Sequence, residues 1–499
     1  MVYYVPHYID AEAVHLSSPY SHKISNPALG EQIGQVFFAD HKICEQAAVA
    51  AATAWPAWAA TPPGKRATIL FKFRDLLIKN QLAIARLVTS EHGKTLADAE
   101  GSISRAIEVV EFHCALVTEL QGSFSVEVSS NVDCYTMRQP IGICAGVSPF
   151  NFPVMVPIWM MIPAIACGNT FILKPSEQNP SATLRLFELL TEAGLPAGVA
   201  NCVQGDQSTV QHLLAHPKIS AFTAVASTPV AESIYTSAVT NGKRAHTFGS
   251  AKNHCLVMPD ADLEYAARAI VGAAFGSAGE RCMAISVVVT IDEQTATQMT
   301  KLLIPLIKDI RVDAGDAENA DMGPLISERH RLSVLKAIEA GIAEGAELIM
   351  DGREFKHKKY SQGYYLGPCL FSNVTENMSI YQQEIFGPVL VMIKANNFAE
   401  ALALINRHQY GNGTAIFTRD GFCGREFSKR VQAGLVGINI PIPVPIASHP
   451  FGGWKRSFFG DTNMHGVESI NFYTHRKTVT CKWPITTFND SSFAMPSHK

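Results

Sequence analysis

The chain has 499 residues, of which 47% are hydrophobic and 17% charged, and its formal net charge is −3. This is the composition of an ordinary globular protein, and at about 150 residues per domain the length predicts two or three domains. No block of Lys or Arg indicates a nucleic-acid partner.

Targeting and metal-binding segments are not expected. Met1 to Ser18 lacks a basic segment followed by an apolar stretch, and it contains no Arg. The longest apolar run, Val154 to Cys167, contains two prolines and falls short of the roughly 18 to 20 residues that span a bilayer. The 11 cysteines include no C-x-x-C pair, so neither a disulfide framework nor a metal site is expected. These features predict a soluble, cytoplasmic protein without membrane contact.

From about Arg138, short apolar runs alternate with helical stretches, which predicts βαβ units and a parallel sheet. The predicted strands are Ile141 to Val147, Thr170 to Leu173, Val199 to Val203, Ile219 to Val225 and Arg244 to Phe248. The predicted helices are a stretch after Pro153, Ala182 to Ala193, Ser208 to Leu214 and Val230 to Val239. Ligands of such sheets bind at the carboxyl ends of the strands.

A second alternation runs from Leu263 past Phe417 and predicts a second α/β lobe of similar size. Its clearest elements are a helix at Leu263 to Ala274, a strand at Val287 to Ile291 and a helix at Ser327 to Glu344. The segment Ile438 to Pro450 is too rich in proline to be helical. The last regular stretch, Phe472 to Val479, alternates like a strand.

Cys282 is a candidate nucleophile in the run FGSAGERC. A reactive cysteine needs a lowered pKa and partial access. Arg281 stands next to it, and the small residues from Gly276 to Gly279 leave room for a ligand. By composition alone, a buried structural thiol is the more common situation.

Two further motifs follow predicted strands. In PFNFP, the Asn151 amide is suited to donate to a developing oxyanion, although Asn is also a good helix N-cap. In KPSE, Lys174 and Glu177 are suited to the hydroxyl groups of a ribose, although a turn with solvated charges would look the same.

Five motifs in order resemble the aldehyde dehydrogenase superfamily over about Asn26 to Thr480. They are PFNFP, KPSE, FGSAGERC, EIFGPV and HPFGGWKRS. Within that superfamily, the runs GAAFGSAGERCMA, AKNHCLVMPDAD, VGINIPIPVP and SFFGDTNMHG are similar to those of the CoA-acylating methylmalonate-semialdehyde dehydrogenase group.

The resemblance implies an α/β fold with three parts. Residues 1–122 and 139–250 would form a Rossmann-type NAD-binding domain, and residues 251–445 an α/β catalytic domain. Residues 123–138 and 446–485 would form a small β oligomerisation arm with the C-terminal segment, and residues 486–499 a tail. The superfamily assembles through such an arm, so a homo-oligomer, dimer or tetramer, is expected.

The resemblance also implies roles for single residues. Cys282 would attack the aldehyde, and Asn151 with the backbone N–H of Cys282 would hold the oxyanion. The residues expected to bind NAD are Phe150, Lys174, Glu177, Ser227, Glu384 and Phe386. Arg105 and Arg281 match the two arginines that bind the carboxylate of a semialdehyde, although Arg105 also stands where it could pair with Glu108 on a helix.

Two departures from the superfamily pattern affect the expected chemistry. Hydrolytic members carry a Glu that activates water, and Phe248 stands at that position. Its absence agrees with CoA as the acyl acceptor, because a thiol needs less help than water. Ala226 and Ala231 replace the two glycines of a G-S-x-x-x-G run. Their methyl groups are expected to crowd the cofactor, and Ala disfavours positive φ, so the cofactor site is expected to be altered.

Three hypotheses follow. The first is NAD-dependent oxidation of methylmalonate or malonate semialdehyde with acyl transfer to CoA and loss of CO2. The second is a hydrolytic aldehyde dehydrogenase that uses another base, for which His246 and Glu280 are candidates. The third is a catalytically impaired paralogue, suggested by Ala226, Ala231 and Phe248.

Overall fold

The structure is a computed structural model, and it describes residues 2–483. The helices are α1 (His41–Ala60), α2 (Pro63–His92), α3 (Leu96–Cys114), α4 (Leu116–Glu119), α5 (Met155–Ala166), α6 (Ser181–Glu192), α7 (Gln207–Ala215), α8 (Thr228–Thr240), α9 (Leu263–Phe275), α10 (Asp292–Lys308), α11 (Glu328–Ala343), α12 (Ser379–Gln382), α13 (Phe398–Arg407), α14 (Gly421–Arg430) and α15 (Gly466–Phe472). The strands are β1 (Tyr3–Val5), β2 (His7–Ile9), β3 (Glu12–Val14), β4 (Ser21–Asn26), β5 (Glu31–Phe37), β6 (Phe124–Ser129), β7 (Val132–Pro140), β8 (Ile143–Val147), β9 (Thr170–Lys174), β10 (Ala200–Cys202), β11 (Ile219–Val225), β12 (Arg244–Phe248), β13 (Asn253–Val257), β14 (Ile285–Ile291), β15 (Glu347–Met350), β16 (Cys369–Ser372), β17 (Val389–Ala395), β18 (Tyr410–Gly411), β19 (Gly413–Phe417), β20 (Leu435–Ile438), β21 (Trp454–Lys455), β22 (Phe458–Phe459) and β23 (Thr474–Lys482).

The first large sheet has the strand order β22-β12-β11-β8-β9-β10-β2-β3. Strands β8 to β12 run parallel, while β22 and β2 pair antiparallel with the outer members of that set. Every residue of β8 and β9 is buried. Such continuously apolar strands are typical of a parallel sheet that helices cover on both faces.

The second large sheet has the order β15-β16-β17-β14-β13-β19-β20 and is parallel apart from β15. Every residue of β13 and β19 is buried, so this sheet is also covered on both faces. A separate antiparallel sheet, β23-β7-β6, joins the C-terminal strand to a hairpin. The smaller sheets are β1-β5-β4 and β18-β21.

The α/β fold predicted from the sequence is confirmed, and the predicted strands and helices named above agree with the observed ones to within three residues. The Pro-rich segment 439–450 forms no helix. The domain boundaries given above stay a prediction, and the tail at 486–499 lies outside the described residues. Within residues 2–483, no helix is both long enough and apolar enough to cross a bilayer.

The first sheet brings the predicted binding residues to one edge, because the carboxyl ends of parallel strands lie together. Phe150 and Asn151 follow β8, and Lys174 ends β9. Ser227 follows β11, and Phe248 ends β12. The candidate site is therefore built at the edge where such folds bind ligands.

Candidate active site

The nucleophile candidate Cys282 follows a tight turn at the end of α9. Ser277, Ala278 and Gly279 have φ values of 54°, 52° and 74°, so three consecutive residues lie in the left-handed region. A side chain at Gly279 would place its Cβ 2.1 Å from the carbonyl oxygen of Gly387, so only glycine fits there. Left-handed backbone costs an ordinary residue roughly 1–2 kcal/mol, so the packing around this turn must hold Ser277 and Ala278 in place.

Asparagine side chains from two elements of the second lobe fix the backbone of Cys282. The Nδ2 atoms of Asn253 and Asn412 donate to its carbonyl oxygen at 2.8 and 2.9 Å. Most cysteines of the chain are buried, but Cys282 is half-buried and lines two adjoining cavities. The alternative of an enclosed structural thiol is therefore wrong.

The pKa of the Cys282 thiol is raised, whereas a lowered pKa was expected from the sequence. Burial, followed by the negative charge of Glu384, raises its pKa to about 12. Arg281 does not lower it, because the guanidinium is engaged with Asp98, whose Oδ1 lies 2.5 Å from Nη2. The prediction that Arg281 lowers the pKa of this thiol is wrong. A small thiolate fraction at neutral pH is what this environment implies.

We expect the alkylation of Cys282 by iodoacetamide to rise about tenfold per pH unit from pH 7 to pH 10, because thiolate is the reacting species. Peptide mass spectrometry of the ligand-free protein measures the rate at this site. Glutathione in the same solution is the reference, since a free thiol reaches its plateau near pH 9. If the alkylation rate of Cys282 levelled off at the same pH as that of glutathione, or at a lower pH, the raised pKa would be contradicted.

The Asn151 side chain lies beside the backbone of the nucleophile. Its Nδ2 donates to the carbonyl oxygen of Glu280 at 3.0 Å, two residues before Cys282. An amide nitrogen carries two hydrogens, so the second remains for a ligand. Helix α5 begins at Met155 with Val154 as its N-cap, so the alternative role of Asn151 as the N-cap is wrong.

Glu384 and Phe386 lie on the second lobe next to the nucleophile. Both line a cavity with Cys282. The Glu384 carboxylate accepts a hydrogen bond from the backbone N–H of Ala251 at 2.8 Å, and burial raises its pKa. The Phe386 ring packs edge-to-face against Phe150 with 5.8 Å between centroids. Of the residues predicted to bind NAD, Glu384 and Phe386 thus lie beside Cys282, and Phe150 contacts Phe386.

The remaining predicted cofactor residues lie along the carboxyl edge of the first sheet. Lys174 is 5% exposed, and its Nζ donates to Glu177 at 2.8 Å. Burial acts to raise the pKa of Glu177, but the ammonium of Lys174 holds it below its usual range. Lys174 is therefore not a solvated charge, while the Glu177 side chain is about one third exposed, at 32%. Ser227 is exposed at the N-terminus of α8.

A cavity of approximately 210 Å³ opens beside Cys282 and contains both predicted arginines. Its wall is mostly apolar, and it is lined by Asp98, Gly101, Ser102, Arg105, Phe152, Met155, Trp159, Arg281, Cys282, Met283, Ile442, Val444 and Phe451. Arg105 also pairs with Glu108 at 2.5 Å and donates to the carbonyl oxygen of Pro445 at 2.5 Å. The helix-surface ion pair is therefore present, and the same side chain still reaches the cavity.

A buried apolar ring, that of Phe248, stands where hydrolytic members are expected to carry a Glu. Its ring is buried and contacts the rings of His246 and Phe458 at 5.3 and 5.0 Å. His246 stacks on Phe472 at 3.7 Å and bonds through Nδ1 to the carbonyl oxygen of Thr462. Burial lowers the pKa of His246 to about 4. His246 lines neither cavity that contains Cys282, so it is not placed to activate a water molecule beside the thioester.

Glu280, the other candidate base, is turned away from the nucleophile. Its side chain is fully buried, and its Oε1 accepts a hydrogen bond from the backbone N–H of Ile326 at 3.1 Å. Its Oε2 lies 3.7 Å from Nε2 of His92. Burial raises the pKa of Glu280 well above its ordinary value, because the charged form of a carboxyl is disfavoured away from water. It lines neither cavity that contains Cys282.

The two alanines at the glycine positions do not strain the backbone. Neither Ala226 nor Ala231 has a positive φ. The N–H of Ala226 donates to the carbonyl oxygen of Phe248, and Ala231 is buried within α8. The expected conformational penalty is therefore absent, because these positions use backbone that alanine adopts readily.

Four residues that hold the site together were not predicted from the sequence: Lys94, Asp98, Asn253 and Lys252. Lys252 Nζ donates to the carbonyl oxygens of Ile380 and Gln383, next to Glu384, and burial lowers its pKa to about 7. Asn253 begins the fully buried strand β13, where a polar amide was a usable signal. Asp98 lies in the first turn of α3, where an acid is expected for the helix alone.

Comparisons with known proteins identify the family of the chain. Residues 15–479 match the model of the aldehyde dehydrogenase family. A malonate-semialdehyde dehydrogenase of Pseudomonas aeruginosa is 49% identical over 492 residues, which are 98% of this chain and 99% of the relative. Two solved structures described as methylmalonate-semialdehyde dehydrogenases each superpose with a TM-score of 0.96. One, from Sinorhizobium meliloti and complexed with NAD, is 49% identical, and the match covers 98% of this chain and 100% of the other. The other, from Oceanimonas doudoroffii, is 45% identical, and the match covers 97% of this chain and 99% of the other. The chain therefore belongs to the aldehyde dehydrogenase family.

Proposed function

We propose that the protein oxidises malonate or methylmalonate semialdehyde with NAD and transfers the acyl group to CoA. Malonate semialdehyde would give acetyl-CoA, CO2 and NADH, and methylmalonate semialdehyde would give propionyl-CoA. The observation that carries the proposal is the cavity in which Cys282 lies with Arg105 and Arg281. Relatives with these substrate names are similar over nearly the whole chain.

The two arginines suit an aldehyde that bears a carboxylate. Guanidinium groups bind carboxylates with strong, directional hydrogen bonds. The remaining wall is mostly apolar, apart from Asp98 and Ser102, and offers few polar groups to a larger polar substrate. The cavity volume of approximately 210 Å³ also favours a small molecule.

The described residues fit NAD. Buried Lys174 and partly exposed Glu177 form an ion pair at the sheet edge where adenosine ribose binds in such folds, and an acid there disfavours a 2′-phosphate. Ser227 lies at a helix N-terminus, which favours a phosphate group. Glu384 and Phe386 lie next to Cys282, where the nicotinamide would be needed. When bound, NAD supplies the acceptor for the hydride that leaves the aldehyde carbon.

The chain's own residues account for the rest of the reaction. Arg105 and Arg281 orient the substrate carboxylate, so that the aldehyde carbon faces the Sγ of Cys282. Sγ forms a bond to that carbon, and the free amide hydrogen of Asn151 stabilises the oxyanion. Loss of the hydride leaves a thioester on Cys282, which the thiol of CoA then cleaves. The carboxylate is lost as CO2, and the carbon that carried it takes up the proton that the Cys282 thiol gave up on attack. The proton of the CoA thiol then restores the thiol of Cys282.

A product analysis tests the proposal. With malonate semialdehyde, NAD and CoA, we expect one acetyl-CoA and one CO2 for each NADH, measured by absorbance and mass spectrometry. Formation of malonate as the free acid in amounts equal to NADH would overturn it in favour of hydrolysis. No NADH with either semialdehyde would favour an impaired paralogue.

We further propose that the protein is a cytoplasmic homo-oligomer, a dimer or a tetramer. In the three-stranded sheet β23-β7-β6, the outer strand β6 presents apolar side chains to the outside. Phe124 and Val126 are 62% and 69% exposed in the single chain. An exposed apolar edge strand is a surface that a partner is expected to cover.

A further inference from the structure

The guanidinium of Arg281 lies over Gly276, the residue that follows α9. A Cβ built on Gly276 would lie 2.5 Å from Nη1, 2.7 Å from Cζ and 2.8 Å from Nη2 of Arg281. The backbone itself does not need glycine, because Gly276 has φ −53° and ψ 135°. The space that the sequence suggested was left for a ligand is therefore occupied, at Gly276, by a side chain of the chain itself.

On its other side, Arg281 is held by a partly buried ion pair. Asp98 Oδ1 lies 2.5 Å from Nη2 of Arg281, and Asp98 Oδ2 lies 3.1 Å from Nζ of Lys94. Burial acts to raise the pKa of Asp98, but the two cations hold it well below its usual range. One carboxylate thus lies between two cations, and the group keeps one net positive charge beside the cavity.

We propose that Gly276 is a specificity-determining residue that lets Arg281 present its charge to a substrate carboxylate, with Asp98 as the positioning residue on the opposite side. The proposal rests on the function proposed above. Gly276 acts through the absence of a side chain, since any Cβ at that position would displace the guanidinium. The clash involves the end of a flexible side chain, so Arg281 moves while the turn persists.

The test is Gly276→Ala, with Gly272→Ala as the matched control. Gly272 lies one turn earlier on the same helix, and a Cβ there meets no atom within 4 Å. Activity is measured with malonate semialdehyde and with propanal, an aldehyde of similar size without charge. We expect Gly276→Ala to lower kcat/KM for the semialdehyde by about 10- to 100-fold, the range of a lost charged hydrogen bond. Propanal turnover should change less than about threefold, and Gly272→Ala should leave both unchanged.

A second measurement does not depend on turnover. Malonate should protect Cys282 against alkylation in the natural protein, and Gly276→Ala should need at least about tenfold more malonate for the same protection. A purely structural effect of the added methyl group would lower propanal turnover as well.

The outcomes separate the inference from the function on which it rests. If the natural protein prefers the semialdehyde and Gly276→Ala keeps that preference, the inference is overturned and the proposed function stands. An equal loss with both aldehydes also overturns the inference. If the natural protein shows no preference for the semialdehyde over propanal, carboxylate recognition itself fails, and both are overturned.

Discussion

Cys282→Ala is expected to lower the rate of NADH formation by about 10⁵-fold, because Cys282 is the one thiol among the described residues that line the cavity with the arginines. The lost atom is the one that forms the covalent bond, so binding of substrate cannot compensate. The fold should persist, since Cys282 is only half-buried and its carbonyl contacts involve the main chain. Steady-state absorbance measures the rate, and thermal unfolding checks the fold.

A second cysteine provides the control for this change. Cys423 is also a half-buried free thiol, but it lies on α14 and lines neither cavity that contains Cys282. Cys423→Ala should keep full activity. Residual turnover above about one per cent in Cys282→Ala would exceed what the oxyanion site and binding alone supply, and would mean that another group is the nucleophile.

Leaving out CoA is expected to lower steady NADH formation by about 10²- to 10⁴-fold, the usual size of a general-base contribution. Water needs a base to cleave the thioester, and the position that supplies one in hydrolytic relatives is filled by the buried ring of Phe248. His246 and Glu280 cannot replace it, because neither lines a cavity with Cys282. The thiol of CoA provides its own thiolate fraction near neutral pH.

A rapid-mixing experiment tests the dependence on CoA more directly. Without CoA, one NADH per active site should form in a burst, and then the reaction should stall with the acyl group on Cys282. Intact-protein mass spectrometry should find that adduct, and adding CoA should remove it. Equal steady rates with and without CoA would show that water reaches the thioester with the help of a base placed elsewhere.

The sequence was sufficient to predict the parallel strands of the first sheet, because their signal is local. Strands such as β8 and β9 are short, wholly buried and mostly apolar, and each could be recognised from its own residues. The nucleophile and its amide partner could be predicted only through motifs. No property of Asn151 itself excluded an N-cap, and the start of α5 at Met155 decided the matter.

The rest of the site could not be predicted, because it depends on contacts between distant parts of the chain. Arg281 and Asp98 are 183 positions apart, so the charge of the arginine looked available to the thiol. The left-handed backbone at Ser277 and Ala278 has no sequence signal, since neither residue favours it. The role of Gly276 likewise depends on where the Arg281 side chain lies.

The hydrogen bonds around residues 280–282 also make the position of the nucleophile depend on both lobes at once. Asn151, at the edge of the first sheet, binds the carbonyl oxygen of Glu280, while Asn253 and Asn412, next to the second sheet, bind that of Cys282. The main chain that carries Cys282 is therefore held by side-chain amides from two separately built sheets. Neither lobe alone would hold the sulfur atom in place, so the site is complete only after both have folded and packed together.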